Sequence, residues 1–131
     1  MELPTLINVT PIYIALLGLL FIPFTMRVGL YRVKSNITIG TGEDPELVRR
    51  IRGQGNFIET VPIALFLLLS MELLGASSTW LHALGSALVL GRIAHYIGLT
   101  KLGPIAFRVA GMMATIATIL VSSIWILWNV F

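Results

Sequence analysis

Four long apolar stretches, at roughly 6–33, 45–75, 79–99 and 104–130, alternate with short polar breaks along the chain. Each is near or above the ~20 residues that an α-helix needs to cross a ~30 Å hydrocarbon core. The apolar runs show no period of two, and backbone groups in lipid must be satisfied internally, so helices are expected rather than a closed barrel. The pattern predicts an all-α integral membrane four-helix bundle, built as a single domain over 1–131. The polar, glycine-containing loop at 34–44 ends in a helix-start signal: Asp44 to cap free N–H groups, Pro45 at the first helical position and Glu46 to complement the dipole. Gly75-Ala-Ser-Ser-Thr79 is a turn short enough to make the second and third helices antiparallel neighbours, and Lys101-Leu-Gly103-Pro104 separates the third from the fourth. Pro62 removes the hydrogen bond to the Ile58 carbonyl and should bend the second helix.

Composition sharpens this picture. The 131 residues are 56% hydrophobic and only 11% charged, with a mean hydropathy of +0.92, which is too apolar for a soluble domain of this length. There is no cysteine, hence no disulfide framework, no thiolate metal site and no cysteine nucleophile; any thiol chemistry must use a thiol brought by a ligand. The Lys and Arg residues cluster at 27, 32, 34, 49, 50 and 52 and again at 92, 101 and 108. By the positive-inside rule both termini then face away from the cytoplasm. Membrane orientation accounts for the formal charge of +3, so no nucleic-acid footprint is invoked. Arg27, Arg32 and Lys34 follow the first apolar run, and no basic segment precedes it, which argues for a retained anchor rather than a cleaved signal peptide.

The candidate chemistry lies on the second helix. At about 100° per residue, Arg52, Asn56 and Glu59 fall within roughly 60° of one another, so a cation, an amide and an anion share one stripe where hydrocarbon begins. Ionisable groups at that depth cost about 2.5–3.5 kcal/mol each by insertion scales, and they tend to face protein or a polar cavity. Glu59 lies roughly 10 Å outward of Arg52, and Arg92 a similar distance from Leu99 on the third helix. That match in depth predicts an approach of Glu59 to Arg92, within or between subunits. His95 and Tyr96 lie one turn from Arg92. Arg108 opens the fourth helix, followed by Val109-Ala-Gly111-Met-Met-Ala114, a small-residue face suited to close helix approach. No His-x-x-x-His or carboxylate–His spacing offers a metal site, and there is no phosphate loop or Ser-His-Asp set.

These residues carry a resemblance. Arg52-x-x-x-Asn56-x-x-Glu59-x-x-Pro62, with Gln54 inside it, resembles the second-helix signature of the membrane-associated proteins in eicosanoid and glutathione metabolism (MAPEG). Gly91-Arg92-Ile-Ala-His95 resembles the third-helix stretch of the synthases in that family, and Arg108-Val-Ala-Gly-Met112 the start of the fourth helix in its small bacterial members. The chain looks like such a small bacterial-type member, similar to the microsomal glutathione transferases.

The resemblance implies a homotrimer in a bacterial inner membrane, with glutathione as co-substrate in a cleft between subunits near the cytoplasmic side and no metal. Arg52, Gln54, Asn56 and Glu59 would hold the tripeptide, with Arg92, His95 and Tyr96 facing them. Arg108 stands where relatives place the thiol-activating arginine. The implied activity is a membrane-embedded glutathione transferase or peroxidase acting on a lipophilic electrophile or a lipid hydroperoxide. One alternative is a non-catalytic lipid- or partner-binding scaffold of the same fold. A small four-helix drug exporter is a third class, but such a transporter would be expected to carry an acidic residue in its first span, and 11–26 has none.

Overall fold

The computed structural model describes residues 7–131. In it α1 spans Thr10–Ser35, α2 Pro45–Leu73, α3 Ser78–Leu99 and α4 Ile105–Val130. These are the four expected helices; the expected start of the first at residue 6 lies outside the described residues. Contacts between chain neighbours fix their directions. The start of α1 meets the end of α2, Gly53 meets Tyr96, and Arg108 meets His95, so each consecutive pair is antiparallel. α2 and α3 form the central pair, with α1 packed on both from one side and α4 from the other.

The helix ends follow local chemistry, with one exception. Asp44 caps α2, its Oδ1 accepting the N–H groups of Glu46 at 2.8 Å and Leu47 at 3.1 Å. The Leu47 N–H, with help from the Tyr31 hydroxyl, holds the Asp44 carboxyl below the usual carboxylate range. Arg32 donates to the carbonyls of Ile37 and Gly40 and so ties the loop to the end of α1. The exception is α1, which has no side-chain cap of its own. Glu72, at the far end of α2, supplies one: its carboxylate accepts the N–H groups of Asn8, Val9 and Thr10 at 2.6, 2.7 and 2.7 Å. A carboxylate is unfavourable at the C-terminus of its own helix and favourable at the N-terminus of a neighbour, so this contact reverses a local penalty.

α1, α2 and α4 are each long and apolar enough to cross a membrane. α3 has 22 residues, about 33 Å of helix, but His82, Arg92, His95 and Tyr96 make it more polar. Its central position hides the last three of these. The outward faces are apolar, with Leu19, Leu30, Leu90, Ile116 and Leu120 exposed as lipid contact requires. The face that α4 turns inward is made of small residues instead: Gly111, Thr115, Thr118 and Ser122. At Gly111 a Cβ would collide with the Gly91 carbonyl and the His95 amide, so the small-residue face read from the sequence meets α3 of the same protomer.

Candidate functional site

On α2 the stripe forms as the period dictates. Arg52 Nη1 lies 3.5 Å from Glu59 Oε1, and both side chains are 56% exposed. Residues seven apart stand about 10 Å apart along a helix, and these two long side chains meet by reaching toward each other over Gly55. A Cβ built there would sit 3.8 Å from Arg52 Nη1 and 3.9 Å from Glu59 Oε1. The surface ion pair in itself contributes little stability, on the order of 0–1 kcal/mol.

Asn56, between them on the same stripe, turns its Oδ1 inward and accepts from Arg92 Nη2 at 2.6 Å. Arg92 is 1% exposed and also donates to Thr115 Oγ1 at 3.4 Å, while that hydroxyl donates to the Gly111 carbonyl at 2.9 Å. One guanidinium thus ties α2, α3 and α4 together. Glu59 and Arg92 share a depth but do not pair within the protomer. Glu59 points to the exposed side and takes Arg52, whereas Arg92 points into the bundle and takes neutral groups, because equal depth does not fix azimuth.

The other expected site residues divide. Gln54 does not share the stripe: two residues from Arg52 is a rotation of about 200°, and its amide donates to Thr25 Oγ1 of α1 at 3.1 Å. His95 is buried and its Nδ1 donates to the Arg108 carbonyl at 2.9 Å. A carbonyl can only accept, so Nδ1 carries a proton, and the buried Nε2 has no hydrogen-bond partner among the described residues. Tyr96 stacks on Phe24 with centroids 3.5 Å apart and planes 4° from parallel. It lies against Gly53, where a Cβ would stand 2.7 Å from its ring. Arg108 is exposed, and its guanidinium has no hydrogen-bond or ion-pair partner among the described residues.

Two residues join this neighbourhood without having been singled out for it. Thr115 is one, and its signal was the small or hydroxyl residues at 111, 115, 118 and 122, a stripe at helical spacing. Arg27 is the other, its guanidinium 5.5 Å from the Tyr96 ring centroid. Of the two arginines on α1, Arg27 reaches the bundle and Arg32 holds the loop. Beyond the stripe, α1 and α2 enclose an open groove of about 310 Å³ lined by Ile14, Leu17, Phe21, Phe57, Ile58 and Pro62 among others, all apolar. No cluster of metal-ligating side chains occurs among the described residues.

The helix plan agrees with comparisons to known proteins. The model of the MAPEG family matches residues 10–128. Inner membrane protein YecN of Escherichia coli strain K12 is 35% identical over 120 residues, covering 92% of this chain and 91% of that one. The same protein from Escherichia coli O6:H1 matches equally. A family match across nearly the whole chain, on an all-helical bundle with membrane-spanning apolar helices, identifies this as an integral membrane protein belonging to the MAPEG family.

Proposed function

We propose that this protein is a glutathione-dependent transferase or peroxidase of the membrane, which binds the tripeptide on the face carrying Arg52, Asn56 and Glu59 and activates its thiol with Arg108. The observation that carries the reading is the contrast between buried and open cations. Arg92 is wholly enclosed, whereas Arg52, Glu59 and Arg108 stand open at the bundle surface. Open charges at hydrocarbon depth cost a few kcal/mol each, so this face calls for cover by a second copy of the chain and a polar ligand. A homotrimer with sites between protomers answers that requirement. Glutathione carries two carboxylates and one ammonium, which suit guanidinium, amide N–H and carboxylate groups in one cluster.

The chemistry follows from thiol physics. A free thiol near pKa 8.5 is mostly protonated at neutral pH, and a nearby guanidinium favours the thiolate. Lowering that pKa by one unit raises the thiolate fraction roughly tenfold and retains most of its nucleophilicity. The sulfur then forms a bond to an electrophilic carbon as the leaving group departs with the bonding pair. With a lipid hydroperoxide, two thiols give up two electrons and two protons to the O–O bond, yielding alcohol, water and the disulfide. The apolar groove of α1 and α2 suits the hydrocarbon part of such a substrate.

The test is the ultraviolet absorbance of thiolate in a pH titration of glutathione with purified protein in detergent. A depressed thiol pKa that returns to the free value in Arg108→Ala supports the mechanism. An unshifted titration with the unaltered protein removes it. Tight lipid binding without turnover of halo-nitrobenzenes or hydroperoxides would favour the scaffold instead.

A further inference from the structure

We propose that Arg92 is a positioning residue: it fixes the Asn56 amide with its oxygen inward, so that Asn56 offers only N–H donors to the open face. The resemblance groups Arg92 with the residues that touch the ligand, and the geometry points elsewhere. Arg92 is 1% exposed, and its three nitrogens face the interior, with Nη2 on Asn56 Oδ1 and Nη1 on Thr115 Oγ1. A guanidinium has donors only, so whichever amide atom faces it must be the oxygen. The bond is charge-assisted and 2.6 Å long. The Asn56 Nδ2 group, held on the opposite side of the amide, has no hydrogen-bond partner among the described residues. It shares its stripe with Arg52 and Glu59.

The consequence is specificity. An asparagine free to turn its amide accepts or donates as a ligand requires; this one can only donate. The group it selects is an acceptor, a carboxylate or a carbonyl, and the Glu59 oxygens beside it are the acceptors of the face. The ligand side of this inference rests on the glutathione reading, whereas the orientation of the amide does not.

Four variants separate the roles, each measured for thermal midpoint in detergent and for glutathione dissociation constant by titration calorimetry. In Asn56→Asp an oxygen still meets Arg92 and now brings a counter-charge to a buried cation, so the midpoint stays level or rises. The outward donors are lost, and affinity falls about tenfold or more. Affinity therefore falls with no loss of stability, which loss of a purely structural contact does not produce. Asn56→Leu leaves Arg92 without an acceptor and lowers the midpoint. In Arg92→Gln the new amide can accept as well as donate, Asn56 is freed to turn, and affinity falls. Arg92→Lys restores a donor-only group and recovers most of that affinity. The proposal is overturned if Asn56→Asp destabilises as much as Asn56→Leu, if Asn56→Asp binds glutathione like the unaltered protein, or if Arg92→Lys is no better than Arg92→Gln. Failure of the unaltered protein to bind glutathione would instead remove the glutathione reading, and the two midpoints would still decide how the amide is held.

Discussion

Replacing Gly111 by alanine tests how closely the fold depends on backbone contact between α3 and α4. A Cβ at this position falls inside van der Waals distance of the Gly91 carbonyl oxygen and the His95 amide nitrogen, and 2.7 Å from the His95 Cβ. These are main-chain atoms or atoms fixed to the main chain, so no side chain can swing aside and α3 must move off α4. Inserting a methylene into a packed core costs about 1–3 kcal/mol, and a site with no rotamer to yield belongs at the upper end. At roughly 2–8 °C per kcal/mol for domains bracketing this size, the thermal midpoint should fall by about 5–15 °C. Gly18→Ala is the control. Nothing lies within 4 Å of its Cβ position, and alanine improves helix propensity by about 0.5–1 kcal/mol, so its midpoint should hold or rise. Intrinsic tryptophan fluorescence on heating in one detergent reads both variants. A Gly111→Ala midpoint equal to that of the unaltered protein would refute the packing argument, because it would mean the helices are not in backbone contact there.

Glu72→Ala should release the start of α1, since three N–H groups lose their acceptor. The expected cost is about 0.5–2 kcal/mol, the range for losing a helix cap, with faster amide hydrogen exchange at residues 8–10; unchanged protection there would contradict the assignment. Asp44 makes a pH prediction. Its carboxyl titrates below the ordinary range when folded, so its stabilising effect is complete above the unfolded aspartate pKa and is lost as pH falls through the folded one. The midpoint gap between the unaltered protein and Asp44→Asn should therefore be widest near neutrality and close in acid. A gap independent of pH would argue against the carboxylate as the cap.

The parts of this molecule legible in the sequence are those set by short-range spacing. The break at Asp44-Pro45 placed the start of α2, and the 100° rule put Arg52, Asn56 and Glu59 on one face. The same rule sets Gln54 on another face, and only the family pattern drew it into the set; the bond to Thr25 sides with the rotation. What stayed illegible depended on how the helices turn about their own axes. Matching depths made Glu59 and Arg92 look like a pair, but one faces outward and the other into the bundle. Glu72 capping Thr10 joins residues 62 apart, and no local pattern announces an acid placed to serve another helix. Arg27 and Arg32 are alike in sequence, and only the packing of α1 beside α3 sends Arg27 to Tyr96.

The pairing of Arg92 with neutral groups, rather than with Glu59, changes where the surplus charge lies, not how much of it there is. Had Glu59 neutralised Arg92, Arg52 would have been the free cation of α2. Instead Arg52 and Glu59 offset each other at 3.5 Å, while Arg92 meets only an amide and a hydroxyl and Arg108 has no counter-charge bonded to it. Two cations, one behind Asn56 and one at the start of α4, are therefore left uncompensated. On the glutathione reading, the protonated tripeptide carries a net charge of about −1 at neutral pH and its thiolate about −2. The second negative charge, which appears only when the thiol ionises, is the one that completes the balance. That surplus of two is the same whichever arginine Glu59 takes; the pairing decides that one of the two cations lies buried behind the Asn56 amide, and Arg52, held by Glu59, is not the open one.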